Sequence, residues 1–368
     1  MLCLSLGTDE LTVKQCTAAI VTLICSGLAV VEVASAASHN VIEFEGICDA
    51  SAAVTLDGRH IIVGDDELPW LSVYDIAGGR LQKKIPLPAQ SAGHGDSDDP
   101  PEADIEAATV FGDRIVWISS HGRNKKGKGR EDRRQLFSSH QLAADRVTWN
   151  VSFSPSYHGL LEAILATHHE GYGVLKTAIG DLSKREPDLA PKKHGFNIEG
   201  MAAAPDGKSL LIGIRNPTKG GEALLFPIEN AADLLKMGNA SPALGRVREL
   251  DLGGRGIRDI AWSPAHQEYL IIGGQADDDD PGPGFAVFRW TGQEGDKPRP
   301  VSAFDDSKQI PHFHPEAIVP LRDVATGQYS KEVLLISDDG TKPMPQGGVC
   351  KDANGNAKSF RAIKTVVP

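Results

Sequence analysis

The chain has 368 residues, a formal net charge of −11, and 40% hydrophobic and 24% charged residues. Those proportions belong to a globular chain and exclude intrinsic disorder, while the acidic balance argues against a nucleic-acid partner, which calls for a basic face. The 39 Gly and 23 Pro supply many turns, and Gly without a three-residue period excludes collagen.

From the N-terminus, Lys14, an apolar run over 18–31 and Ala34-Ser35-Ala36 read as an export signal cleaved after Ala36. Residues 1–36 are then a signal peptide and 37–368 a single domain, periplasmic or extracellular, with no membrane span after cleavage. Of the five cysteines only Cys48 and Cys350 would remain. Two cysteines in an exported chain suggest one disulfide, the alternative being two thiols.

Short runs of Val, Ile and Leu follow at 60–64, 114–119, 209–214, 269–273 and 333–337, each bounded by turn formers. Each run has a similar lead-in: an acid, a small apolar strand, then a turn. The lead acids are Asp49, Glu106, Glu199, Asp259 and Glu316. Repetition of such a unit predicts an all-β fold, a β-propeller of four-stranded blades. The long interval from Glu106 to Glu199 reads as two units, the second a degenerate blade over 151–179. That predicts six blades, or seven if 49–106 hides a short one. The one clear helical patch is 229–237. A strand at 40–46 would complete the last blade beside the C-terminal strand and close the ring against open edges. Cys48 and Cys350 would then lie in loops on one face.

In a blade of this kind the first strand lines the central channel. The five lead acids would therefore ring one mouth, crowned by polar loops at 65–67, 120–124, 215–217, 275–280 and 338–340. Crowded carboxylates need a cation or take up protons, and oxygen ligands suit Ca²⁺, with Mg²⁺ as the alternative. Turn capping, or pairing with Arg123, Arg215 or Arg258, is the competing account of these acids. His121 and His314 are candidate proton shuttles, and Arg123 and Arg215 are candidates to hold an anion. The basic stretch 123–134 could grip a phosphate or lie as a solvated loop, and Asp96, Asp98 and Asp99 could form another cation site. No serine-elbow, phosphate-loop or dinucleotide motif is present.

The stretches FEGICDASAA (44–53), DIEAATV (104–110), SSHGRNKKGK (119–128), FNIEGMAAAPDGKSLLIGIRNP (196–217), RGIRDIAWSP (255–264) and HPEAIV (314–319) resemble a bacterial family, domain of unknown function 3616. The resemblance implies a propeller, distantly similar to esterase-like, phytase-like and lactonase-like propellers. It implies no catalytic residues.

Two functions follow as expectations. One is a Ca²⁺-dependent hydrolase of phosphoesters or lactones, in which the metal polarises the substrate and activates water. The other is a non-catalytic propeller that binds a small molecule, a saccharide, an anionic ligand or a protein at the channel mouth. A monomer is the expected state.

Overall fold

Alternating small and β-branched residues between turn formers build the strands, and their order along the chain decides how they pair. The computed structural model describes residues 41–88, 102–141, 150–237, 240–277 and 282–368. The export signal at 1–36, Asp96, Asp98, Asp99 and the acids at 278–280 lie outside these residues.

After β1 (Val41–Glu45), the first blade is β2 (Ala50–Thr55), β3 (His60–Asp65) and β4 (Trp70–Asp75). The two-residue β5 (Gly79–Arg80) comes next, and β6 (Lys83–Pro86) completes that blade. The second blade is β7 (Ile105–Phe111), β8 (Arg114–Ser119), β9 (Leu136–Gln141) and β10 (Val151–Phe153). The third is β11 (Asn197–Ala203), β12 (Leu210–Lys219), β13 (Glu222–Ile228) and β14 (Arg248–Leu250). The fourth is β15 (Gly256–Ser263), β16 (Glu268–Gly274), β17 (Ala286–Trp290) and β18 (Arg299–Pro300). The fifth is β19 (His314–Arg322), β20 (Tyr329–Asp338) and β21 (Ser359–Val366), with β1 added outside β21 and β5 parallel to β1. Each inner strand packs on the next in chain order, and β19 packs back on β2.

The protein is thus a five-bladed β-propeller, which corrects the six or seven blades expected from sequence. The degenerate blade foreseen over 151–179 is not a blade. Its first three residues finish the second blade as β10. The rest forms α1 (Leu160–Ala166) and α2 (Tyr172–Ile179). Apolar residues in these two segments recur at helical spacing. Leu160, Leu161 and Ile164 of α1, and Tyr172, Leu175, Ala178 and Ile179 of α2, are buried together. They share a core with Ile214 and Phe226 of the third blade. The helix foreseen at 229–237 is present as α3 (Ala231–Met237), so it is one of three α-helices among the described residues.

β1 runs antiparallel to β21, from Val41 opposite Ile363 to Glu45 opposite Ser359. Three residues beyond β1, Cys48 is bonded to Cys350 in the loop between β20 and β21, with Cα atoms 6.0 Å apart. The loop is also tied by Asp339 N–H donating to Cys48 O at 3.0 Å. Among the described residues no helix is long and apolar enough to cross a membrane.

Candidate functional site at the channel mouth

All five inner strands carry a bulge near their first residues, where one extra residue interrupts the ladder. The interruption falls at Ser51, Glu106, Glu199, Arg258 and Glu316. These are the equivalent corners of the ring, so the five lead acids are not equivalent. Glu106, Glu199 and Glu316 hold the shared position. Asp259 is one residue beyond it and Asp49 two residues before it.

The chemistry divides accordingly. Arg258 stands where an acid was expected and bridges its neighbours: its Nε lies 2.8 Å from Glu199 Oε2 and donates to Glu316 Oε2 at 3.0 Å, and its Nη2 contacts Glu316 Oε1. Arg215 Nη1 and Asn197 Nδ2 each donate to Glu199 Oε1 at 2.8 Å. Asp259 serves the fold, its carboxylate accepting the backbone N–H groups of Ile260 at 2.7 Å and Ile318 at 2.8 Å, which ties the fourth inner strand to the fifth. Burial nevertheless pushes its pKa up to about 8. Ser51 Oγ donates to Ile105 O across the first two blades.

Glu106 differs from the other two glutamates. It is partly exposed and has no hydrogen-bond or ion-pair partner among the described residues. Burial, then the charges of Glu199, Asp104 and Asp66, raise its pKa well above the usual carboxylate range. More acids crowd the mouth between the fifth and first blades. Burial and Asp338 raise Asp49 to about 7, and Asp49 Oδ1 lies so close to Gly340 that a side chain there would overlap it. Asp65, Asp66 and Asp338 are all raised, burial being the largest cause in each. One Asp66 oxygen is buried without a hydrogen bond. Two cations lie near Glu106: Arg258, whose charge acts on it, and Arg133, which is engaged by Glu102 and, at 3.5 Å, by Asp104.

The other candidates lie elsewhere. His121 is buried, with its Nδ1 2.9 Å from Ser119 O. Its ring lines a cavity of about 10 Å³ with Leu161, Ala178 and Phe196, beneath the helices and not in the channel. Burial holds its pKa down to about 4, so it is a neutral core histidine. Arg123 is spent on the fold: its guanidinium donates to the carbonyls of Gly127, Ile179, Asp181 and Lys184 and pairs with Glu186 at 2.8 Å. Arg215 Nε donates to Gln275 O and Ala276 O, each at 3.2 Å. Neither arginine presents a group to an anion as the sequence suggested. His314 is exposed at the start of β19, close enough to Asp338 for its charge to be felt there. Among the described residues no group of three or more His, Cys, Asp or Glu is placed to hold a metal ion; of the five lead acids, Glu199 and Glu316 are paired with Arg258 and Asp259 accepts backbone N–H groups.

Sequence reasoning missed Arg258 as a member of the ring. Its signal is the apolar residue before the bulge: Ile105-Glu106, Ile198-Glu199 and Ile257-Arg258 align once that Ile is the anchor. The opposite end of the channel is apolar, a cavity of about 200 Å³ lined from all five blades by residues such as Val54, Val110, Ala203, Ala261 and Val319.

Residues 175–343 match the model of the family described as Protein of unknown function (DUF3616). The resemblance seen in the motifs is real. The match takes in the motifs at 196–217, 255–264 and 314–319; the other three lie before it. No curated protein matches the chain. Solved structures similar to it include Myxococcus xanthus glutaminyl cyclase, at 9% identity and a TM-score of 0.43, covering 89% of this chain and 95% of that one. A luciferin-regenerating enzyme matches at 8% identity and a TM-score of 0.39, over 89% and 95%. Virginiamycin B lyase from Staphylococcus aureus matches at 11% and 0.31, over 84% and 72%. Likenesses this distant carry no argument about activity.

Proposed function

We propose that the protein binds a positively charged small molecule at the acidic mouth, with Glu106 receiving the cationic group. One observation supports this reading: of the three glutamates at the shared bulge position, Glu199 and Glu316 are ion-paired with Arg258, whereas Glu106 feels the charge of Arg258 but makes no hydrogen bond or ion pair among the described residues. Burial and mutual repulsion disfavour the charged forms of Asp49, Asp65, Asp66 and Asp338 around it, and a cation bound among them favours their ionisation. The fold has already desolvated these carboxyls, so a bound cation gains a strong Coulomb interaction in a site of lowered dielectric. Arg123, Arg215 and Arg258, the arginines weighed for an anion, are each committed to partners within the protein.

This is the binding reading of the propeller, preferred to the metal-dependent hydrolase because the described carboxylates do not converge as oxygen ligands. The test is a melting curve with putrescine, tetramethylammonium, phosphate, Ca²⁺ or Mg²⁺ added in turn. An organic cation is expected to raise the melting temperature, by about 2.7 kcal/mol of stability at a hundredfold excess over Kd. Glu106→Gln is expected to fold as the parent does and to lose that shift. A shift with phosphate alone, or one that persists in Glu106→Gln, overturns the reading. A shift with Ca²⁺ or Mg²⁺ alone, together with hydrolysis of phosphoesters or lactones, replaces it with the metal reading.

A further inference from the structure

The basic stretch 123–134, which the mouth does not use, separates into an inner and an outer set. Arg123, Arg130, Arg133 and Arg134 turn inward: Arg130 pairs with buried Asp132, Arg133 with Glu102, and Arg134 with Glu162 at 3.8 Å. Lys125, Lys126 and Lys128 are exposed. They sit on a tight hairpin that is fixed. Gly127 N–H donates to Asn124 O at 2.8 Å, and the buried Asn124 Oδ1 accepts the N–H groups of Lys126 at 3.0 Å and Lys128 at 2.9 Å.

A second basic segment is stapled to this hairpin. Arg185 Nε donates to Lys126 O at 2.9 Å, Glu186 N–H to Gly127 O at 2.9 Å, and Arg123 Nη1 to Lys184 O at 2.7 Å. Lys184 and Arg185 are exposed, so five cationic side chains share one ridge. Asp181 pairs with Lys184 at 2.9 Å, Asp188 is exposed nearby, and Glu186 is taken by Arg123. Lys125 and Lys126 make no side-chain hydrogen bond or ion pair among the described residues.

We infer that this ridge docks on an anionic phospholipid surface. The turn offers no nest for a single phosphate, because the amides of Lys126 and Lys128 are already taken by Asn124. Its charges are spread along two segments, which suits an array of phosphates. The ridge residues 123–128 and 181–188 contain no aromatic side chain, so there is no platform for unpaired bases. The Cys48–Cys350 disulfide belongs to an oxidising compartment, where lipid surfaces are the abundant phosphate arrays. With a net charge of −11 the rest of the molecule is repelled by such a surface, so the ridge also sets the orientation.

The experiment is co-sedimentation of the full chain with vesicles of phosphatidylcholine, alone or mixed with phosphatidylglycerol, at rising salt. Binding is expected only to the mixed vesicles and is expected to fade with salt. Each lysine near the surface contributes about a fivefold gain in affinity, so Lys125→Ala with Lys126→Ala is expected to weaken binding about 25-fold. Lys331→Glu, an exposed site at the start of β20 and so on the opposite face, is expected to change nothing. Melting curves confirm that the variants fold. Equal binding to phosphatidylcholine alone, binding untouched by the lysine variants, or preferential retention by duplex DNA at the same salt would each overturn the inference.

Discussion

Glu106, Glu199 and Glu316 occupy one structural position and differ in state, because a carboxylate's behaviour is set by what surrounds it. Arg258 holds two of them in ion pairs, and the third keeps its raised pKa. Ligand affinity is therefore expected to climb as pH rises through the pKa of Glu106, since a cation needs the ionised form. Asp49 gives a separate, measurable sign. Its folded pKa of about 7 lies above the ordinary 3.8. The stability it contributes is complete below the ordinary value and is lost as pH rises through 7. Asp49→Asn is expected to stabilise the protein at pH 8, by on the order of 2 kcal/mol, and to match the parent at pH 4. Urea unfolding at both pH values checks this, and an equal difference at both would discard it. His121 acts in the opposite sense, its depressed pKa withdrawing stability as pH falls below the ordinary 6.5, which is why the variant's difference from the parent is the informative quantity.

At the scale of elements, the bulge at the head of each inner strand decides which side chain reaches the channel. A one-residue offset turns a channel group into a group that ties neighbouring strands, as Asp259 shows. The helical insert α1–α2 is a second decision at this scale. It is anchored by Arg123, whose guanidinium takes the carbonyl of Ile179 at the end of α2 and those of Asp181 and Lys184 beyond it. A cation at a helix C-terminus is well placed for the dipole and for the unsatisfied carbonyls. Arg123→Ala removes the guanidinium from the carbonyls of Ile179 and Lys184 and the counter-charge from Glu186, which keeps only the Asp181 N–H, and is expected to cost about 3 kcal/mol. Hydrogen exchange should show the loss concentrated in 160–190. A uniform loss across all five blades would contradict a local anchoring role.

At the scale of the molecule, the ring joins through β1 on β21 and through the disulfide beside that junction. The bond spans a sequence separation of 302 residues, so the chain-entropy account assigns it about 5 kcal/mol, less any native strain. Replacing both cysteines by serine is expected to lower stability by about 2–5 kcal/mol and to leave the far-UV spectrum unchanged. Thermal unfolding with and without the substitutions measures it, and an unchanged melting temperature would show that strand pairing alone holds the ring. The Cys48 carbonyl also accepts the Asp339 N–H beside the mouth, so the same variant is expected to weaken the cation-induced melting shift.

Strand-forming runs, their recurrence, the propeller class and the pair of cysteines were legible in the sequence because they rest on local pattern: β-branched residues between turn formers, and few cysteines to choose from. The blade number was not, since 151–179 carries helical spacing that yields an insert only when blade 3 offers an apolar surface to cover it. The mouth was legible as acidic but not as a site. Whether Asp49, Glu106 and Asp259 face a channel, a loop or a neighbouring amide depends on one-residue differences in register and on Arg258 arriving from another blade. Such contacts join residues far apart along the chain, so only the closed ring brings them together.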